Sequence, residues 1–331
     1  MKLVDKYDRV HDYLRISLTD KCNYNCIYCN PSSILGGAAK DDLLSFEELL
    51  RLIEFFATKL EFKKFRFTGG EPLVRKGIFE FLEEVGKLKR KYGFTTGLTT
   101  NGSLLKGKTA LLRETAIDNL NISLDSINKD KFKSITGKDD LENLLDVIEE
   151  SLTAGYSPLK VNAVVIKGIN DYEIIPFVEY FKNKDINLRF IEFMPFGSNE
   201  WERNGFISYE EIKSVVERKY QLVPLASESN SVAKDFQLAD YAAKISFISS
   251  ISEHFCGTCN RVRVSSKGNF RLCLFAEGEH GINFKELYRQ NYSDDQILEL
   301  IIDAINSKWE KHPEANELAV LAENNMMTIG G

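Results

Sequence analysis

No run of apolar residues in this chain is long enough to span a bilayer, and Met1 to Arg9 is polar and charged, without the apolar stretch of a secretory leader. A cytoplasmic address and no membrane partner are therefore expected. Positive charge is also in short supply, since 43 Lys and Arg stand against 49 Asp and Glu, a formal net charge of -6. The bulk surface offers no electrostatic footprint for nucleic acid, so any polyanion must bind at a local basic pocket. Only 7 residues are proline, and no low-complexity tract or internal repeat stands out, which excludes the collagenous and disordered classes.

What is present is an ordinary globular composition, 43% hydrophobic and 28% charged over 331 residues. On the prior of about 100–200 residues per domain this allows one barrel-sized domain plus a smaller one. From Leu14 to Phe193 short β-branched or aromatic runs alternate with amphipathic stretches. Runs at Leu14–Thr19, Lys64–Thr68, Thr95–Thr100, Asn119–Leu124, Leu159–Val165 and Leu188–Phe193 read as strands, near-continuously apolar in the manner of buried parallel strands. Ser45 followed by Glu48 is a capping box that starts the first helix, and Pro176 falls early in a later one, where its missing N–H is tolerable. The predicted fold is α/β, a partial (β/α)6 TIM-like barrel over residues 1–195, whose chemistry belongs at the C-terminal ends of the strands. Residues 196–331 read as a second region, with a helix near Ser208–Arg218, strand-like runs near Lys244–Ile251 and Arg261–Val264, and helical pattern from Phe284 to Trp309.

The six cysteines divide into two sets of three, and in a reducing compartment such sets are more often metal ligands or redox groups than disulfides. Cys22, Cys26 and Cys29 form CxxxCxxC in the loop after the first strand. Three thiolates on one short loop can hold three irons of a cubane and leave the fourth for a cofactor that chelates metal before receiving an electron. Zinc would need a fourth ligand that is absent just after this triad, and a disulfide would leave one thiol over. Cys256, Cys259 and Cys273 form the second set, where spacing alone leaves a zinc knuckle open, with His254 or His280 as fourth ligand. Arg261, Arg263 and Arg271 fall in the same segment; their planar forks suit phosphate oxygens, although alternating arginines can also form the solvated face of an edge strand.

CxxxCxxC with Tyr28 before its third cysteine, followed one βα unit later by Thr68-Gly69-Gly70-Glu71-Pro72, resembles the radical S-adenosylmethionine (SAM) superfamily. The resemblance implies a 4Fe-4S cluster on Cys22, Cys26 and Cys29, with SAM held by Tyr28 beside the adenine, by the Gly70 backbone at the methionine end, and by Ser123 and Met194. The segments Cys256–Arg263 and Phe270–Leu274 and the Gly330-Gly331 pair further resemble the GTP 3′,8-cyclase family of molybdenum cofactor biosynthesis, and the likeness runs from Leu14 to Gly331. It departs at Asn30, where Met is common.

That second resemblance implies another 4Fe-4S cluster, on Cys256, Cys259 and Cys273, whose open iron binds guanine. It assigns Arg15, Lys64, Arg66, Thr99, Lys160, Arg189, Arg261, Val262, Arg263, Arg271, Gly330 and Gly331 to the substrate GTP. The implied reaction removes the ribose 3′ hydrogen of GTP and joins C3′ to guanine C8, giving (8S)-3′,8-cyclo-7,8-dihydroguanosine 5′-triphosphate. An external reductant and a downstream cyclic pyranopterin monophosphate synthase are the implied partners, and a homodimer is compatible. A peptide-modifying radical SAM enzyme with an auxiliary cluster is the alternative.

Overall fold

The computed structural model describes residues 1–29, 40–196, 199, 201, 203–226, 229–276, 281–320 and 326–329. It opens with a short antiparallel ribbon, β1 (Leu3–Val4) and β2 (Val10–His11). Then strands and helices alternate: β3 (Tyr13–Ser17), α1 (Phe46–Lys59), β4 (Lys64–Thr68), α2 (Ile78–Tyr92), β5 (Thr95–Thr100), α3 (Thr109–Thr115) and β6 (Asn119–Ser123). They continue with α4 (Lys129–Thr136), α5 (Leu141–Thr153), β7 (Leu159–Val165), α6 (Ile174–Phe181), β8 (Ile186–Glu192) and α7 (Tyr209–Glu217). The predicted capping box at α1 is formed in both directions, with the Ser45 amide donating to Glu48 at 2.7 Å and the Glu48 amide donating to Ser45 at 3.1 Å. None of the described helices is long and apolar enough to cross a membrane.

The remaining strands are β9 (Leu222–Pro224), β10 (Lys234–Leu238), β11 (Lys244–Ile248), β12 (Arg261–Val264) and β13 (Phe270–Arg271), followed by α8 (Phe284–Arg289), α9 (Asp294–Ile305), α10 (Ala315–Val320) and α11 (Met326–Ile329). All but the opening ribbon join one 11-stranded sheet in the order β13-β12-β3-β4-β5-β6-β7-β8-β11-β10-β9. The six strands read from the sequence are its centre, but the parallel run is longer than they are. β12 pairs parallel with β3 on one side, and β11 pairs parallel with β8 on the other. The chain after Phe193 thus extends the sheet at both edges.

The strands are not continuously apolar as expected; they alternate. Leu14, Ile16, Phe65, Phe67, Leu98, Leu120, Ile122, Val161, Leu188, Phe190, Val262 and Val264 all belong to the apolar core shared with the helices. The intervening positions are Arg15, Arg66, Thr99, Asn121, Lys160, Asn162, Arg189, Arg261 and Arg263, and by the two-residue period of a strand they share the opposite face. Hydrophobic burial is therefore confined to one side of the sheet, and the other lines a polar lumen. Arg15 and Arg189 each feel the other's neighbours electrostatically, yet their strands are five spacings apart, roughly 24 Å on a flat sheet. The sheet is curled around the lumen as a partial barrel.

Packing outside the sheet is equally close at Gly86 of α2, where an added Cβ would lie 2.3 Å from the carbonyl oxygen of Thr115 at the end of α3. A backbone oxygen cannot swing away as a side chain can, so the clash outweighs alanine's better helix propensity. Gly86→Ala is expected to destabilise the fold by ~1–3 kcal/mol, read as a lowered midpoint in chemical denaturation with the m-value unchanged.

Candidate functional site

The first cysteine set lies in the loop that leaves the C-terminal end of β3. Its beginning is held by the segment after β4: the Gly70 amide donates to Thr19 O at 2.7 Å and the Glu71 amide to Lys21 O at 2.8 Å. A Cβ on Gly69 would stand 2.4 Å from Thr19 O, and one on Gly70 2.5 Å from Lys21 O. The close approach these glycines permit is thus to the cysteine loop's own backbone, and the Gly70 amide is already engaged there. Farther along, the Asn25 and Ile27 amides donate to Thr136 and Ile135 at the end of α4, and the Asn101 side chain lies 3.8 Å from Cys22 Sγ.

Within this set burial disfavours every thiolate. Burial raises Cys22; burial with the charges of Asp125, Cys29 and Cys22 raises Cys26 strongly; burial with Cys22 and Asp125 pushes Cys29 up to about 12. Three thiolates that repel one another in a low-dielectric loop need a polycationic centre to ionise together, and the donor set suits iron of a cluster. Glu71 of the Gly-Gly-Glu-Pro segment is itself buried, which raises it to about 7, and it accepts from Asn101 N, Leu73 N and Thr100 Oγ1. It braces the strand ends around the loop.

Of the residues expected at SAM, Tyr28 donates its hydroxyl to Asp125 at 2.7 Å, and Asp125 accepts also from the Val164 amide at 2.9 Å. Burial holds this carboxyl up at about 6. Asn199 donates from Nδ2 to both Tyr28 O, at 3.0 Å, and Met194 O, at 2.9 Å, which ties the third-cysteine turn to the chain leaving β8. Ser123 ends β6 in register with Asn162 of β7. Neither Asp125 nor Asn199 stood out as a positioning group in the sequence, because each acts through a backbone or side-chain partner remote along the chain.

The expected substrate residues fall together on the lumen face. Register places Arg263, Arg15 and Arg66 side by side across β12, β3 and β4, with Arg271 of β13 beside Arg263. Arg66 donates to Tyr13 Oη at 2.6 Å and to Thr99 Oγ1 at 3.4 Å, and Gly97 leaves room for its guanidinium, which an added Cβ would meet at 2.6 Å. Lys160 lies 3.3 Å from Asn119 Oδ1, and Lys64 shares the alternation of Arg66. Arg261 and Arg263 are buried at 8% and 7% exposure on a strand flanked by β3 and β13, so they do not line a solvated edge. Val262 is fully buried in the apolar core, and its side chain is not part of the lumen. Gly330 and Gly331 lie outside the described residues.

These cations act on one another. Burial lowers Arg15 to about 10 with Arg66, Arg261 and Arg189 adding to it, lowers Arg189 similarly to about 10, and lowers Lys160 to about 8 with help from Arg189 and Arg66. Burial alone would raise the Tyr13 hydroxyl, but Arg66 and Arg15 outweigh it and bring it down to about 8. Arg189 Nε and Arg261 Nη2 are buried donors with no hydrogen-bond partner among the described residues. Crowded buried cations with unmatched donors call for a polyanion.

The second cysteine set is at the other end of the same strands. Cys259 precedes β12 by one residue, and β12 runs parallel to β3, so Cys256 and Cys259 lie at the N-terminal end of the sheet while Cys22 lies beyond its C-terminal end. The five residues of β3 set the two ends roughly 16 Å apart. Buried cations hold this region: Arg9, paired with Asp5 at 2.7 Å, donates to Cys256 O, Glu310 O and Trp309 O, and Lys308 donates to Arg261 O at 2.8 Å and to Leu272 O. Burial raises Cys256, whereas at Cys259 Lys308 and Arg261 outweigh burial and bring the thiol down to about 7. Among the described residues no group of three or more His, Cys, Asp and Glu side chains is gathered around a single metal position, at either cysteine set. His254 packs on His312, and His280 is outside the described residues.

Comparison with known proteins places the chain among families and relatives along almost its whole length. The radical SAM superfamily matches residues 16–181, and Molybdenum Cofactor Synthesis C matches residues 186–314. The chain is 39% identical over 329 residues to the GTP 3′,8-cyclase of Thermodesulfovibrio yellowstonii, covering 99% of each. It is 38% identical to the mitochondrial GTP 3′,8-cyclase of Arabidopsis thaliana, covering 99% of this chain and 83% of that one. Molybdenum cofactor biosynthesis protein 1 of Dictyostelium discoideum is 39% identical, but there this chain spans about half of the relative, 52%. SuiB of Streptococcus suis, solved with S-adenosylmethionine, shares the fold at 15% identity with a TM-score of 0.60, covering 91% of this chain and 69% of that one.

The lumen's electrostatics set a pH dependence. Raising pH through about 8 removes the Lys160 charge and adds a phenolate at Tyr13, and both changes weaken the hold on an anion. GTP affinity by equilibrium dialysis is expected to fall about tenfold from about pH 7 to about pH 9, the worth of one charge-assisted hydrogen bond, and to fall less in Lys160→Met.

Proposed function

The chain belongs to the GTP 3′,8-cyclase family of radical SAM enzymes in molybdenum cofactor biosynthesis, and on that premise we propose that its two cysteine sets divide the work at the two ends of one cationic lumen. The family's activity is the SAM-dependent conversion of GTP to (8S)-3′,8-cyclo-7,8-dihydroguanosine 5′-triphosphate. The observation that carries the proposal is the row of arginines between the sets, buried Arg263 and Arg66 with half-buried Arg15, in register across three adjacent strands.

Cys22, Cys26 and Cys29 are the ligands for the SAM-binding 4Fe-4S cluster, and Cys256, Cys259 and Cys273 for a second one at the substrate. When bound, these groups and SAM supply the electron and the hydrogen-abstracting radical; the protein supplies placement. Tyr28, held by Asp125, would lie beside the adenine of SAM, Ser123 and Met194 would also hold SAM, and Gly70 contributes by fixing the cysteine loop. Arg15, Lys64, Arg66, Thr99, Lys160, Arg189, Arg261, Arg263 and Arg271 receive the triphosphate and ribose, their forked donors meeting phosphate oxygens, and any part Val262 plays is through its backbone. Holding the ribose 3′ carbon and guanine C8 in a near-attack arrangement is the larger part of catalysis here. Gly330 and Gly331 follow Ile329, whose side chain is 1% exposed in an apolar cluster against which Met194 and Cys273 also pack, which supports a role for that pair at the substrate. An external reductant, a cyclic pyranopterin monophosphate synthase and a second copy of the chain are the proposed partners, and the six free thiols fit a reducing, cytoplasmic address.

Anaerobic reconstitution with GTP, SAM and dithionite, followed by mass analysis, tests this reading. Cys26→Ala is expected to abolish 5′-deoxyadenosine, since two thiolates cannot hold the cubane. Cys273→Ala should lose about half of the iron, as one cubane of two, retain SAM cleavage and form no cyclised nucleotide. If it lost zinc while its iron stayed unchanged, the two-cluster reading would fail.

Removing Gly330 and Gly331 should leave iron content and SAM binding intact while cyclisation is lost. A truncated enzyme with full turnover would reduce the pair to a frayed end.

A further inference from the structure

Lys308 stands out among the charged groups that the proposed chemistry leaves unassigned. It follows α9, is 4% exposed, and directs its ammonium to two backbone carbonyls, Arg261 O at 2.8 Å and Leu272 O. Those carbonyls sit two residues after Cys259 and immediately before Cys273, so the ammonium is pinned between two arms of the second cysteine set. Among the described residues no carboxylate forms an ion pair with it. Arg9, another buried cation of this region, has Asp5 at 2.7 Å.

A buried ammonium without a carboxylate is unfavourable unless another anion stands nearby, and carbonyl dipoles alone replace only part of its hydration. The acidic side chains whose charge acts on it are Cys259 and Cys273, the two cysteines next to the backbone it grips. The first set has no counterpart: the charges acting on Cys26 and Cys29 are Asp125 and the other cysteines, all negative.

We infer that Lys308 is the charge partner of the second cysteine set, a fixed positive charge that sets the reduction potential of the cluster held by Cys256, Cys259 and Cys273. The inference rests on the two-cluster reading. Potentials of iron–sulfur clusters follow the net charge around them, and a cation at this depth is weakly screened. Reduction adds negative charge, which Lys308 stabilises; its removal therefore drives the potential more negative. The two carbonyl contacts make Lys308 a bracket as well, so charge and bracketing must be separated.

The test uses the full chain in a Cys26→Ala background, reconstituted anaerobically, where the second cluster alone supplies the paramagnetic signal. Its midpoint potential is read by dye-mediated titration with electron paramagnetic resonance, and iron per chain and thermal melting are recorded alongside. Lys308→Met removes charge and donors, Lys308→Gln keeps donors without charge, and Lys308→Arg keeps charge. Met and Gln are expected to shift the potential to more negative values, with Arg staying at the parent value. A Gln variant at the parent potential overturns the inference, since bracketing would then suffice. Should Lys308→Met not fold, the comparison of Gln with Arg decides in the same way. A parent that carries zinc and no iron defeats the two-cluster reading itself, and the inference with it, before any Lys308 variant is compared.

Discussion

Mutual repulsion among buried cations is the constraint on which the rest of this structure depends. Arg15, Arg66, Lys160, Arg189, Arg261 and Arg263 come from strands on opposite sides of a curled sheet, and burial and one another's charge lower the pKa values of Arg15, Lys160, Arg189 and Arg263. A cluster of this kind opposes folding, and it is tolerated because the outer face of the same strands carries a continuous apolar core. Phe65, Phe67, Phe190 and Phe247 are each at most 1% exposed, and full burial of such a side chain contributes about 1.5–3 kcal/mol. The lumen is thus held in a state that a polyanion relieves, so binding energy is available for positioning rather than for reorganising the protein.

The same electrostatics separates the two ends of the lumen. At the C-terminal ends of the strands the cysteines meet Asp125 and each other, and all three thiols are pushed up. At the N-terminal ends Lys308 and Arg261 reverse the effect at Cys259. Cys256 is still raised by burial, so the difference between the two sets lies at Cys259, beside Lys308 and Arg261. Clusters held by the two sets would meet different surroundings with the same three donors.

Much of this was legible in the sequence, for definite reasons. Strands such as Lys64–Thr68 and Leu159–Val165 announce themselves because their outward residues must be Phe, Leu or Val, and the Ser45–Glu48 box marks a helix start by local chemistry alone. Both cysteine sets were read from spacing. The strands were read as near-continuously apolar, whereas they alternate, with Arg66 and Lys160 on the face opposite the core, where they had been expected to line the barrel. Pairing of β11 and β12 to opposite edges of the sheet is non-local and leaves no mark in a sequence window. Val262 turns its side chain to the core by its position in the alternation, so the substrate role expected of it falls to its backbone. Gly70 was expected beside a cofactor, and the structure adds a second reason for a glycine there, the close approach of the Lys21 backbone. Lys308, Arg9 and Asn199 act on backbone carbonyls far away in sequence, for which no pattern of residues provides a signal.

An open sheet cannot by itself keep water from radical chemistry. Among the described residues β13 and β9 are its two ends and do not pair with each other, so the gap must be walled by something other than strands. Phe196, Phe275, Leu318 and Ile329 form a separate apolar cluster, with Met194, Cys273, Trp309 and Met326 packed against it. This cluster joins the segment leaving β8, the arm of the second cysteine set and the helices α10 and α11. Its members come from three distant parts of the chain, so they assemble only when the C-terminal region has docked on the barrel. Packing of the segment leaving β8 and packing of the C-terminal helices are consequently one event. A weakened contact among Phe196, Phe275 and Ile329 would loosen both together, even though none of these side chains carries a charge or holds a metal.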